Sequence, residues 1–481
     1  MTTGIVKWCL FFFYGIDRQR FFVYNNGKTP PRKESLMNIN FTTPIAPVKP
    51  MHAINNAPMF WSFCDAFHYL TEAAIPCARL HDTGGLLGGG IFVDVANIFP
   101  LFHADPDDPA NYDFGFTDHL LRELDKAGVK SFYRLGCTIE NYHPSIGPRR
   151  SIPPADPHKW AVICEHIIRH YNEGWANGYH MGIQYWEIWN EPDNEPVPAE
   201  NPMWKGTMEE FFTLYEVTAN YLKSRYPHLK IGGYASCGFY SILNQGVAAH
   251  ANVSERFDYF VEFFEKFLTH ITTEGHKAPL DFFSWHSYAG IGENIAFAAY
   301  ARDMLDRFGF TETESILNEW NPGIHRRGTL ADAAHIGAMM VALQHTSVDM
   351  LMYYDATLES SYGGMFNPLT RTPFKAYYAF WGFGQLYKMG YQYPIEGADH
   401  GRVTENVYAL AAGNTPCGAD ATERAVLLFN LGDETTITTP DGVWTLRLLD
   451  ETHDLTPEAT VYGGETITVP AEGTVLLTAI L

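Results

Sequence analysis

A chain of 481 residues with a formal net charge of −22 is ill matched to nucleic acid or to an anionic membrane surface, which both call for basic patches. The same balance disfavours a highly sulfated, polyanionic ligand. Hydrophobic residues at 46% supply ample core, yet no apolar run is long enough to span a bilayer.

Residues 1–36 read unlike the rest. An apolar-aromatic patch from Trp8 to Ile16 is followed by Lys28-Thr-Pro-Pro-Arg-Lys-Glu34, and an extended start assignment fits this opening. Only Lys7 precedes the patch closely and no small-residue cleavage site follows, so a signal peptide is not favoured. Residues 1–50 are expected to form an N-terminal extension, part of it packing on a C-terminal sheet.

From Met51 onward, apolar runs alternate with helical patterns. Strands are predicted at Met51–Asn55, Cys77–Asp82, Ser131–Gly136, Tyr185–Glu191, Lys230–Ser236, Asp281–Tyr288, Ser315–Trp320 and Met350–Asp355. Between them, helices are predicted at Thr117–Ala127, His158–Tyr171, Met208–Arg225, Ser254–Thr269, Ile295–Phe308 and Ala331–His345. Eight strands alternating with helices imply an α/β fold: a (β/α)8 barrel of parallel strands over residues 51–395. After about residue 395 the pattern becomes short alternating runs at Val407–Ala411, Arg424–Asn430, Thr435–Thr439, Val443–Leu449, Glu465–Val469 and Thr474–Leu481, separated by turn residues. These predict an antiparallel β-sandwich over residues 396–481, to which some N-terminal residues add strands.

The seven cysteines (Cys9, Cys64, Cys77, Cys137, Cys164, Cys237 and Cys417) are scattered, odd in number and form no CxxC pair. Buried reduced thiols in a cytoplasmic protein fit that usage better than a disulfide framework.

The stretch Tyr185-Trp-Glu-Ile-Trp-Asn-Glu-Pro192 runs an aromatic strand into a turn. Pro192 cannot extend a strand ladder and restricts the residue before it, so Glu191 is placed at the strand's C-terminal end. Glu314-Ser-Ile-Leu-Asn-Glu-Trp320 repeats the design with Glu319. In a parallel barrel the C-terminal strand ends carry the chemistry, and these carboxylates fall there on strands four and seven. Two carboxylates brought to one face are the apparatus for breaking a glycosidic bond.

Period-two alternation groups Glu187, Trp189 and Glu191 on one face, Cys77, Arg79 and His81 on another strand's, and Ser284, His286 and Tyr288 on a third's. A buried carboxylate needs a partner, so Glu187 is expected to pair with Arg79 or Arg134 below the site. Trp186 and Trp189 suggest a dry setting that raises the pKa of Glu191. Gly84-Gly-Leu-Leu-Gly-Gly-Gly90 matches neither a dinucleotide fingerprint nor a phosphate loop and reads as a loop over the pocket. His166 and His170, with Glu165, read as a solvated helix face; no metal site and no cofactor are expected. Gly-x-Ser-x-Gly is absent.

At these residues the chain resembles the clan of Glu/Glu retaining glycosidases on (β/α)8 barrels, and within it glycoside hydrolase family 39, the β-xylosidase and α-L-iduronidase family. The matching segments are Arg79-Leu-His-Asp82, Trp186–Pro192, Asp281–Tyr288 and Asn318-Glu-Trp-Asn321, with Pro373–Phe380 resembling the run after strand eight. The resemblance implies Glu191 as acid/base, Glu319 as nucleophile and Asn190 as ligand of the sugar's 2-hydroxyl. It implies Arg79, His81, His286 and Tyr288 as supports of the reactive subsite. Strand eight reads Met352-Tyr-Tyr354-Asp355 where relatives often supply Trp, which leaves Tyr354, Trp320 or Trp381 as the sugar platform.

The resulting expectation is a retaining, exo-acting hydrolase releasing a neutral sugar, β-xyloside first and β-galactoside or arabinoside after it. A transglycosylase using the same residues and an inactive carbohydrate-binding barrel are the alternatives. The expected partner is carbohydrate, with no nucleic acid and no membrane; a homo-oligomer is compatible with the sequence.

Overall fold

The computed structural model describes residues 37–59, 66–83, 92–140, 145, 147–243, 254–358, 362–416 and 421–479. Residues 36–481 form one compact unit. The apolar patch from Trp8 to Ile16 and the expected glycine-rich loop at 84–90 fall outside the described residues.

Eight parallel strands close a barrel in chain order: Ala53–Asn55, Cys77–Leu80, Lys130–Leu135, Tyr185–Ile188, Lys230–Ser236, Phe282–His286, Glu314–Trp320 and Val348–Tyr353. The first closes on the last through Ile54 opposite Tyr353. Each barrel strand is buried along most of its length, which explains near-continuous apolar runs in the sequence. Ala53, Cys77, Phe132, Phe282, Ile316, Met350 and Met352 form a separate apolar plug that fills the lower interior. A larger core lies between strands and helices and includes Trp186, Ile188, Trp285 and Leu317.

Local sequence sets the helix ends. Pro157–Glu173 starts where the Asp156 carboxylate accepts from the His158 and Lys159 amides, with Pro157 in the first turn, and stops at Gly174 with φ 77°. Met208–Arg225 starts on a reciprocal capping box between Thr207 and Glu210. A further helix, Lys375–Met389, follows strand eight and contains most of the Pro373–Phe380 run.

The C-terminal part is antiparallel, as expected. Its seven-stranded sheet runs Ala46–Pro47, Tyr391–Tyr393, Val407–Gly413, Arg424–Asn430, Thr474–Ala479, Val443–Leu449 and Asp454–Tyr462, while Thr435–Thr438 pairs with Thr466–Val469. An N-terminal strand does join it, through Ala46 opposite Gln392. One face, carrying Trp444, packs on Ile437 and Val469; the other puts Leu427 and Phe429 into the larger core against helices Leu330–Gln344 and Lys375–Met389. Gly337 leaves the space that the Phe429 ring fills. Strand Asp454–Tyr462 was not expected because Pro457 interrupts it; it is an edge strand, and the register shifts where Pro457 faces Arg447.

Cys77, Cys137, Cys164 and Cys237 are buried and free. Among the described residues no helix is long and apolar enough to cross a membrane.

Candidate active site

The fourth barrel strand ends at Ile188, and the backbone then leaves strand geometry: Trp189 has φ 73° and Glu191 φ 45°. The turn is seated on its neighbours. Trp189 N–H donates to Leu135 O at 2.7 Å, and Glu191 N–H to Ala235 O at 3.0 Å. Gly136 permits the approach, since an added Cβ would stand 2.8 Å from the Trp189 Cα. This corrects the alternation expected for strand four. Trp189 packs outward against Trp160 and Trp204, while Asn190 and Glu191 turn toward the barrel mouth. Positive φ at two residues breaks the period of two.

Below the mouth, Glu187 and Arg79 are fully buried and paired, with Arg79 Nε 2.7 Å from Glu187 Oε2. Oε1 of Glu187 accepts from Ser284 Oγ at 2.6 Å and from Asn318 Nδ2 at 2.6 Å. Three donor contacts from three strands therefore fix one carboxylate and, through it, the guanidinium. Arg79 Nη1 lies 3.4 Å from Glu319 Oε2 and donates to Asn55 Oδ1 at 3.1 Å; Nη2 donates to Asn190 Oδ1 at 2.5 Å. Arg134 takes the other course, pairing with Asp94 at 2.7 Å.

Two side chains from strand six and its end meet the candidate carboxylates, and His286 bridges them. Tyr288 Oη donates to Glu319 Oε1 at 2.5 Å. His286 Nδ1 stands 2.8 Å from Glu191 Oε1 and 3.5 Å from Glu319 Oε2. A carboxylate oxygen of Glu191 and one of Glu319 lie within 4.8 Å of each other, with His286 between them. The pair sits at an opening: Tyr288 is 37% exposed while His286 is 1% exposed.

Burial first, and then the neighbouring Glu191 charge, push the Glu319 carboxyl up to about 7, against the pull of His286 and Arg79. Burial also works against ionisation of Glu191, but the hydrogen bonds from His286 and Asn194 overcome it and hold this carboxyl below its usual range. The expectation that Trp186 and Trp189 would raise Glu191 is therefore corrected: both rings face the helices, and His286 and Asn194 are what touch the carboxylate. The two carboxylates share protons as one system rather than titrating separately.

On the opposite wall, burial and then Arg79 hold the His81 imidazole well below its ordinary pKa, so it is neutral. Its Nε2 is 3.3 Å from Asp82 Oδ1, and Tyr354 Oη donates to Asp82 Oδ2 at 2.5 Å. Tyr354 is close enough to feel the Glu319 charge.

Of the residues picked from sequence, Arg79, Asn190, Glu191, His286, Tyr288 and Glu319 come together directly, with His81 and Tyr354 beside them. Trp320 and Trp381 do not join the group. Trp320 is fully buried, edge-on to Tyr353, and Trp381 packs on the larger core. The reason is again alternation: Glu319 faces inward, so Trp320 faces the helices. His166 and His170 are also corrected, for both are buried rather than solvated; His170 stacks on Phe114 at 3.6 Å between ring centres and bonds Asp118.

Ser284, grouped with His286 and Tyr288 by alternation, also belongs to the network, as do Asn55, Asn318, Asp82 and Asn194, to which no role was given. Asn318 and Asp82 lie within the quoted motif segments, where weighing each polar member could have found them; Asn55 and Asn194 carry no local signal.

His286, Glu191 and Glu319 bring three ligand-type atoms together. Their oxygens are already taken by N–H and O–H donors, which suits proton transfer better than metal ligation.

The comparisons agree with this architecture. A glucosidase from Croceicoccus marinus superposes with a TM-score of 0.70 at 21% identity, covering 92% of this chain and 99% of that one. A GH39 β-xylosidase from Caulobacter crescentus gives 0.61 at 16% identity over 93% and 100%. At these identities the likeness speaks for the fold. By sequence, the chain is 27% identical to a β-xylosidase of Geobacillus stearothermophilus over 164 residues, 31% of this chain and 30% of the relative. A β-xylosidase of Caldicellulosiruptor saccharolyticus is 24% identical over 188 residues, 37% and 31% respectively. The chain thus spans about a third of the length of the curated relatives it matches. Residues 87–354, more than half of the chain and both carboxylate turns, match the family described as glycosyl hydrolases family 39, and the chain belongs to that family.

Proposed function

We propose that the protein is a retaining, exo-acting glycoside hydrolase in which Glu319 is the nucleophile and Glu191 the acid/base. The carboxylate spacing carries the proposal. Oxygens within 4.8 Å of one another suit the about 5–5.5 Å separation of double displacement, whereas inversion needs about 6.5–9.5 Å to admit a water.

In the first step a Glu319 oxygen attacks the anomeric carbon while Glu191 gives its proton to the departing oxygen. In the second, Glu191 takes a proton from water as that water attacks the glycosyl-enzyme, and Glu319 leaves. The starting state needs one proton on Glu191 and a charge on Glu319. In the unliganded site the preference runs the other way, so sugar binding must move the proton. With the proton on Glu191, positive charge developing at the anomeric centre is then stabilised by ionised Glu319 while Glu191 passes that proton to the departing oxygen. Arg79 and Tyr288 hold Glu319, and Asn190, gripped by Arg79, faces the 2-hydroxyl.

A neutral sugar is favoured because the cations around the site are already committed, Arg79 to Glu187, Arg134 to Asp94 and Arg256 to Glu195. The two curated relatives quoted above are named β-xylosidases, which makes an aryl β-xyloside the first substrate to try. The test is a panel of aryl glycosides together with a 2-deoxy-2-fluoro glycoside of the best sugar. Mass spectrometry should find one sugar per chain on a peptide containing Glu319. Labelling of another residue, or faster cleavage of internal polymer bonds than of aryl monosaccharides, contradicts the proposal.

A further inference from the structure

Asn194 lies three residues beyond Glu191 in the turn that follows strand four, and it is 7% exposed. Its Nδ2 is 2.7 Å from Glu191 Oε2, the oxygen that His286 does not touch. A side-chain amide has an oxygen end and a nitrogen end of nearly equal size, and only its partners decide which way it points. Here Arg256, from helix Ser254–Thr272, decides. Its Nη2 is 3.0 Å from Asn194 Oδ1 and its Nε 2.7 Å from the Asn194 carbonyl. A guanidinium has donors and no acceptor, so the amide oxygen must face Arg256 and the NH2 group must face Glu191. Arg256 is itself steadied by Glu195, 3.2 Å from its Nε. The contact on Oε2 is therefore a donor that cannot turn round.

The other groups facing Glu191 are His286 and Tyr288 from strand six and its end, Glu319 from strand seven, Cys237 and Tyr240 after strand five, and Asp193 in its own turn. Asp193 is tied back by Ser236 Oγ at 2.8 Å and the Cys237 amide at 3.1 Å. Among the described residues, Asn194 is the neutral donor that a dedicated cation aims at the acid/base.

We propose that Asn194, oriented by Arg256, is a positioning residue for Glu191: its N–H remains on Oε2 through both steps, fixing the carboxyl's orientation and favouring the carboxylate that must form as the proton departs. This rests on the acid/base role assigned to Glu191. The amide takes no proton and touches no substrate. It acts by stabilising the charged form, which makes neutral Glu191 a readier donor toward a poor leaving group.

The sign of the effect follows. Removing a donor to the carboxylate raises the pKa of Glu191, so the protonated, active form persists to higher pH. In the full-length protein, Asn194→Ala should move the alkaline limb of kcat/KM upward. It should also lower kcat about ten- to a hundredfold on a glycoside with a poor leaving group, and much less on an activated aryl glycoside. Arg256→Met, which frees the amide to turn, should shift the limb in the same direction. Should Asn194→Ala not fold, Arg256→Met carries the test alone. An unmoved alkaline limb, or equal loss on both leaving-group classes, overturns the proposal. Glu191→Ala separates the two levels. If azide restores it on activated substrates while both positioning variants keep the wild-type profile, the acid/base role stands and the clamp falls. If Glu191→Ala shows no leaving-group dependence, the acid/base role itself falls.

Discussion

Arg79 Nε stands 2.7 Å from Glu187 Oε2 with neither side chain exposed, and this pair is the floor on which both candidate carboxylate arms are built. Glu187 holds one edge of the guanidinium, and its other nitrogens reach Asn190, Asn55 and Glu319. Removing one partner of a buried pair leaves an uncompensated charge, at a cost of about 3–5 kcal/mol. Glu187→Gln should sit at the low end of that range because Glu319 remains near Arg79. Urea unfolding should show a lower midpoint with an unchanged slope, and activity should drop as Asn190 loses its anchor. Unchanged stability would mean that the pair is not closed in solution.

Tyr288→Phe removes the hydroxyl that donates to Glu319 Oε1 at 2.5 Å. That bond favours the carboxylate, so its loss raises the pKa of Glu319 further. The nucleophile works ionised, and the acidic limb of kcat/KM should therefore move to higher pH. A fall of about ten- to a hundredfold in kcat/KM accompanies the loss of a hydrogen bond to a charged group. A limb that stays put or moves to lower pH contradicts the assignment.

Glu319 also makes stability depend on pH. Its folded-state carboxyl is pushed from 4.5 to about 7, so over that window the folded chain keeps a proton that the unfolded chain has released. This group favours folding below about 4.5, and the advantage is lost as pH rises through about 7. Glu319→Gln escapes the cost. Its melting midpoint should exceed that of the wild type at pH 8, with the gap closing toward pH 5. A gap that is constant with pH, or one that widens on acidification, contradicts the reading.

Residues before Met37 carry none of the site groups, and residues 36–481 form a compact unit of their own. A chain beginning at Met37 should keep its turnover per folded molecule. An unaltered melt with no activity would show that the omitted segment reaches the site.

The barrel was legible because its strands are buried on both faces and read as apolar runs between amphipathic helices. The two strand-end carboxylates were legible because proline and tryptophan mark their turns. Alternation served at strand six, where Ser284, His286 and Tyr288 all reach the network, and failed at strand four, where positive φ at Trp189 and Glu191 turns the chain. The tryptophans misled for a related reason: a large ring next to a catalytic-type residue in a strand lies on the opposite face, and there Trp320 serves the core. Asn55 and Asn194 were invisible because their partners, Arg79 and Glu191, are fixed by tertiary contacts. Asp454–Tyr462 was hidden by a proline that only an edge strand tolerates.

The most direct test of the double displacement is proton NMR of the first sugar released from an aryl glycoside, read before the anomers equilibrate. Two carboxylates with oxygens within 4.8 Å predict a first-formed product with the anomeric configuration of the substrate. A first-formed product of inverted configuration would contradict the account at its centre.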